Sequence, residues 1–154
     1  MKDLVKPKGY IQAKITHKNT GKVEIIQFDN IILNSGKEFL AKCLLEIDAK
    51  PHVKYMLFGD GGTIDGQVRE VSPTQDKLYG ITRIKKAVIS QADPEMPSQI
   101  IFSVVVEEGE GNESPLNEMA LELSDGTLFN LSTFANLNKT DQMEIAWSWF
   151  VCFV

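Results

Sequence analysis

The residues of this chain with the strongest claim on chemistry are Asp60-Gly61-Gly62-Thr63-Ile64-Asp65, two carboxylates around flexible backbone. Calcium takes roughly six to eight oxygens, and the familiar calcium loop spaces acidic ligands at alternate positions and ends on a bidentate Glu. Asp60 and Asp65 do not keep that spacing. The run reads as a glycine turn with solvated carboxylates, and no metal ligand is assigned. It is also too short for a phosphate-binding loop and lacks that loop's Lys and Ser/Thr. A Ser or Cys nucleophile needs a base within hydrogen-bond reach, yet His17 falls in a predicted turn and His52 stands beside Pro51. Both read as surface residues. Glu107, Glu108, Glu110 and Glu113 could support glycoside hydrolysis if two of them faced each other across a cleft, but an acidic run in a glycine-bearing loop reads first as solvated. No catalytic residue and no cofactor site is assigned, and the chain is expected not to be an enzyme.

Binding surfaces are similarly sparse. Arg83, Lys85 and Lys86 form a short basic stripe of the kind nucleic acid would need, but the net charge of −5 argues against nucleic acid as a partner. Trp147 and Trp149 fall on a face assigned to the core, so Tyr79 is the one obvious loop aromatic for a sugar. Charge is unevenly placed: residues 1–54 carry 10 Lys against 6 Asp/Glu, and the rest of the chain carries 6 Lys/Arg against 15 Asp/Glu. Such halves could attract one another head to tail between copies. Cys43 and Cys152 sit in apolar contexts and are expected to be buried free thiols. The start, MKDLVKPKGY, lacks the apolar core of a signal peptide, and no apolar run approaches a membrane span. Synthesis and folding in a cytoplasm, with no membrane partner, are expected.

The elements that would position these groups are mostly strands. From Gln142 to Val154 the odd positions Met143, Ile145, Trp147, Trp149, Val151 and Phe153 are all large and apolar, the period-two signature of a strand buried along one face. This is expected to be the central strand. Upstream, Tyr10–Thr16 and Val23–Phe28 read as a hairpin around His17–Gly21, and Ile31–Leu33 as a brief buried run. Asn34-Ser35-Gly36 looks like a helix start capped by a side chain. Phe39, Leu40, Cys43, Leu44 and Ile47 recur at helical spacing, so one helix is expected over about residues 35–47. Further strands are expected at Val53–Phe58, Ile81–Ser90, Gln99–Val106, Asn117–Leu123 and Thr127–Ala135. A long excursion covers Thr63–Gly80, of a length that is usually functional or contact-making, and an acidic glycine-bearing loop covers Glu107–Pro115. The fold predicted is mainly β, an antiparallel β-sandwich of about eight strands with one α-helix. It forms a single domain over residues 10–154, preceded by a basic N-terminal arm, residues 1–9.

The order of these pieces carries a resemblance. Asn30-Ile31-Ile32-Leu33-Asn34-Ser35-Gly36-Lys37 precedes the helix; Met56–Thr63 and Leu78–Arg83 follow. Then come Ile100–Val104, Leu116–Leu121, Asp125–Phe129 and Lys139-Thr140-Asp141 leading to Ile145-Ala146-Trp147. Over about residues 28–154 the chain resembles the small β-sandwich virion proteins of tailed bacteriophages, found in tail fibres, baseplates and collar or neck. The family usually has glycine where Ala120 stands, and no catalytic residues come with it. The resemblance implies a non-enzymatic structural protein of the virion, made in the host cytoplasm and partnered by itself, as a homo-oligomer, and by other virion proteins. The alternative is a receptor- or glycan-binding module at a fibre or baseplate tip, meeting a host-surface glycan. The resemblance makes physical sense of Glu118, which lies between apolar residues on a strand and would be costly if buried unpaired. Glu118 is expected to accept backbone N–H bonds from a nearby turn.

Overall fold

The computed structural model describes residues 6–46 and 48–153. Two five-stranded sheets, antiparallel at every pairing, face one another across the core. The strands in chain order are β1 (Pro7–His17), β2 (Val23–Asp29), β3 (Ile31–Ile32), β4 (Val53–Gly59), β5 (Thr63–Ile64), β6 (Gln67–Val68), β7 (Thr82–Ala87), β8 (Ile89–Ala92), β9 (Gln99–Val106), β10 (Leu116–Leu123), β11 (Leu128–Leu137) and β12 (Met143–Phe153). The first sheet runs β2-β1-β12-β9-β8 and the second β3-β11-β10-β4-β7, with β5 and β6 forming a separate small hairpin. The expected sandwich is therefore present. The eight strands of six residues or more answer to the eight expected, β3 matches the brief run at Ile31–Leu33, β8 overlaps the end of the expected Ile81–Ser90, and β5 and β6 are short additions.

The terminal strand occupies the centre of the first sheet, as its alternation predicts. β12 pairs with β1 from Met143 to Phe153 and with β9 from Ile145 to Cys152. Trp147 and Trp149 are fully buried. The Trp147 indole packs against Phe58 of the opposite sheet at 5.0 Å between ring centres, with Phe28 and Phe134 beside it. Asn30 joins the sheets through polar bonds: its side-chain oxygen accepts the Trp149 indole N–H (3.2 Å) and the Asn130 amide (3.1 Å).

At Asn30, between β2 and β3, the chain passes from the first sheet to the second. At Val88 it passes back, which divides the expected single strand Ile81–Ser90 into β7 in one sheet and β8 in the other. Val88 is half-buried and its N–H is bonded to the Lys54 carbonyl. Each flank of the sandwich is thus closed by continuous chain. The Thr63–Gly80 excursion is not merely a surface. Val71 and Leu78 cover Leu57, Ala120, Leu128 and Leu131 on the outer face of the second sheet, making a second apolar cluster.

Several local expectations are corrected. The helix, α1 (Asn34–Lys42), ends earlier than its apolar periodicity suggests. Phe39 and Leu40 reach the core, whereas Cys43 is exposed and Leu44 is 90% exposed; Ile47 lies outside the described residues. Neither Asn34 nor Ser35 caps the helix. Its N-cap is Leu33, without a side-chain bond, and the Ser35 hydroxyl donates instead to the Leu128 carbonyl at 2.6 Å. Cys43 and Cys152 are free thiols but not buried ones, being exposed and half-exposed. Strand β1 begins at Pro7, inside the stretch read as an arm, and Met1–Val5 lie outside the described residues.

Gly36 sets how closely α1 lies on β11, since a Cβ there would overlap the Phe129 carbonyl oxygen. Gly-to-Ala in a helix interior ordinarily stabilises by about 0.5–1 kcal/mol. Here the sign should invert: Gly36→Ala is expected to lower stability by at least about 1 kcal/mol, read as a drop in the urea midpoint at constant slope.

Candidate functional site

The most organised polar region is built on the start of β10. A register shift between Leu116 and Glu118 brings Asn117 and Glu118 under two loops, Gly59–Gly62 and Tyr79–Gly80. Glu118 is fully buried. One carboxylate oxygen, Oε1, accepts the N–H groups of Gly61 (2.9 Å) and Gly80 (2.8 Å), and Oε2 accepts that of Tyr79 (2.8 Å). A buried carboxylate survives only with such compensation. The expectation for Glu118 holds, with two turns supplying donors.

Asn117 completes the clasp. Its oxygen accepts the Gly62 N–H at 2.7 Å, and its amide donates to Thr63 Oγ1 and to Asn136 Oδ1. Close backbone approach explains the glycines. A Cβ on Gly61 would overlap the Gly80 backbone, and one on Gly62 would overlap the Asn117 carbonyl.

The candidate calcium residues are divided by this arrangement. Asp60 Oδ2 accepts the Arg83 Nε–H at 2.7 Å and Oδ1 accepts the Ile81 N–H at 3.0 Å. Asp65 is exposed on the β5–β6 turn at φ 51°. No group of three or more His, Cys, Asp or Glu that could hold a metal occurs among the described residues. Burial disfavours the charge on Asp60, but the Arg83 guanidinium and the Ile81 N–H outweigh it and hold its pKa below the ordinary value.

Lys139 organises the acidic loop, and sequence reasoning gave it no role of its own. It is only 4% exposed, and its ammonium donates to the Glu108 carbonyl (3.0 Å), Asn112 Oδ1 (2.9 Å) and the Thr140 carbonyl (3.3 Å). Burial pushes its pKa down, opposed by the carboxylates of Glu110, Glu108, Asp141 and Glu113. The glutamates read as a possible hydrolytic pair turn to different lysines, Glu108 to Lys18 at 3.4 Å and Glu110 to Lys86 at 2.8 Å. The basic stripe is spent in the same way: Arg83 pairs with Asp60, Lys85 with Glu122 and Lys86 with Glu110. His17 meets Glu24 at 2.9 Å. Tyr79 has its ring 3.6 Å from the Arg69 guanidinium, and its hydroxyl donates to the Glu70 carbonyl.

Two facing antiparallel sheets with loops pinned by buried charged groups define a β-sandwich. Residues 25–152 match the family described as phage tail-collar fibre protein, N-terminal, and the chain belongs to that family. It is a tail structural protein and a component of the virion. No curated protein and no solved structure gave a match.

Replacing Glu118 by Gln keeps the shape but puts an amide where an N–H donor must be accepted. The loss is expected to be about 2–4 kcal/mol. Amide exchange at Gly61, Tyr79 and Gly80 should accelerate more than at the centre of β12. Equal protection at those amides would exclude the clasp.

A pH effect follows from Asp60. Its folded-state pKa lies below its unfolded one, so its stabilising contribution is complete above the unfolded value near roughly 3.9 and is lost as pH falls through the folded value. Asp60→Asn should therefore flatten the acid limb of a stability-versus-pH curve, with little change in its slope near neutrality.

Proposed function

We propose that this tail protein is non-enzymatic and acts by packing against other copies of itself and against other proteins of the virion. The observation that supports this reading is where its charged side chains go. Of the groups with a claim on chemistry, Asp60, Arg83, Glu108, Glu110 and Lys86 bond within the chain, as does the buried Glu118, while Asp65 stands exposed. Their yield is two loop platforms of fixed shape. Loops already held in one conformation lose little entropy on docking, and a stable interface needs about 1,200–2,000 Å² of surface from such parts. The basic residues ahead of β1 add a further contact, attracted to acidic neighbours. A sugar-binding role has less support, because Tyr79 is engaged by Arg69 and Glu70.

Quantitative mass spectrometry of washed, purified particles tests the reading. The chain is expected at a copy number fixed from one preparation to the next, and the recombinant protein should leave a panel of bacterial surface glycans uncut. Absence from washed particles would sink the structural role, and turnover of a glycan would sink the non-enzymatic one. Reversing Lys2 and Lys6 together to Glu, which leaves all of β1 in place, should lower incorporation into particles without moving the thermal midpoint; undiminished incorporation would remove these basic residues from the interface.

A further inference from the structure

At the end of the sandwich where β1 begins and β12 finishes, an open groove of about 880 Å³ lies between the strand ends and α1. Leu40, Leu44 and Phe153 line it, with Lys6 and Lys37 at its margin. Leu44 is 90% exposed and the next residue, Leu45, 55%. Apolar exposure concentrated at one place marks a contact surface more often than exposure scattered singly.

The cations lining the groove lack the carboxylate partners that several other basic residues have. Lys18, Arg83, Lys85 and Lys86 each meet a carboxylate. Lys6 and Lys37, the two cations that line the groove, meet none among the described residues. Uncompensated positive charge beside an apolar groove fits an apolar knob that carries a carboxylate.

The chain presents such a knob itself. The connection from β8 to β9 reads Asp93-Pro94-Glu95-Met96-Pro97-Ser98, with Glu95 exposed and Met96 46% exposed. Its shape is fixed: the Asp93 carboxylate accepts the Glu95 N–H and the Gln99 side-chain amide, both at 2.9 Å, and the Gln99 N–H donates to the Met96 carbonyl at 2.8 Å. The Ser98 carbonyl accepts the Phe153 N–H, so knob and groove occupy the same end of the sandwich.

We propose that the groove receives the Glu95-Met96 loop of a second copy, Met96 entering among Leu40, Leu44 and Phe153 and Glu95 lying beside Lys37 and Lys6. The inference rests on the assembly reading above and names its surface. Knob and groove lie at one end of the sandwich, so two copies about a two-fold axis can exchange knobs reciprocally, whereas another rotation between copies makes a ring or an open chain.

The test is the mass of the full chain in solution across a range of concentration and salt, for the wild type and for Lys37→Glu, Glu95→Lys, their double and Met96→Asp. These positions are exposed, and circular dichroism checks that each variant folds. The wild type is expected to form an oligomer that weakens as salt is raised. Each charge reversal should raise the dissociation constant about threefold to tenfold, the double should recover most of that loss, and Met96→Asp should leave monomer. A wild type that is monomeric throughout, an oligomer unmoved by the variants, or a double no better than its singles would overturn the proposal. Each of those results leaves the tail-protein reading to its own test in purified particles, so the two can fail separately.

Discussion

A single buried carboxylate holds together the two loops that cover the outer face of the second sheet. Glu118 projects from the outer face of the second sheet, where burial costs a charge its hydration, and it is tolerable there only because three backbone N–H groups converge on it. Those donors belong to two loops that precede it in the chain by 57, 39 and 38 residues. Asn117 and Asp60 add bonds to the same two loops. Gly61 and Gly80 come within backbone contact because both reach for one oxygen, and the absence of side chains lets them. With those loops in place, Leu78 and Val71 are set down over Leu57, Ala120 and Leu131, so the outer apolar cluster depends on the same anchor.

Lys139 is the complement of Glu118, with sign reversed. It too is buried, is satisfied largely by backbone, and gathers a loop remote in sequence. The acidic loop would repel itself if left to its glutamates. An ammonium inside the loop and lysines outside it, Lys18 and Lys86, let the carboxylates stay close. Replacing buried ionic groups by apolar ones of equal volume is often harmless to stability, whereas removing one partner is not. The value of these groups lies in fixing one loop arrangement among many.

What could be seen in the sequence was what local periodicity encodes. The alternation from Met143 to Phe153 marks β12 as central, and the hairpins β1–β2 and β10–β11 follow from turn residues between strand patterns. Glu118 was legible as a residue needing donors only through the family resemblance, since Glu122, between Leu121 and Leu123 on the same strand, pairs with Lys85 instead. Which loops would supply those donors was not legible, since that depends on the register of β10 against β4 and β11. Val88 hid in an unbroken strand pattern because a crossing between sheets needs no Gly or Pro there, only a change of partner. The helix was overextended because Leu44 and Cys43 continue its apolar spacing while facing solvent. Lys139 left no local trace, as its bonds go mainly to carbonyls that any sequence would provide.

The position of β12 also makes the sandwich mechanically uneven. It has a neighbour on each side, β1 along all eleven of its residues and β9 along most of them. A load that draws Phe153 along the strand axis, with the far end of the sandwich held, strains both ladders in shear, and their bonds share it. A load that peels Phe153 sideways from Pro7, its partner at the strand end, strains the ladder one pair at a time. The same strand therefore resists traction in one direction and yields as a zipper in the other, so the angle at which a neighbour grips it sets how much force it can transmit.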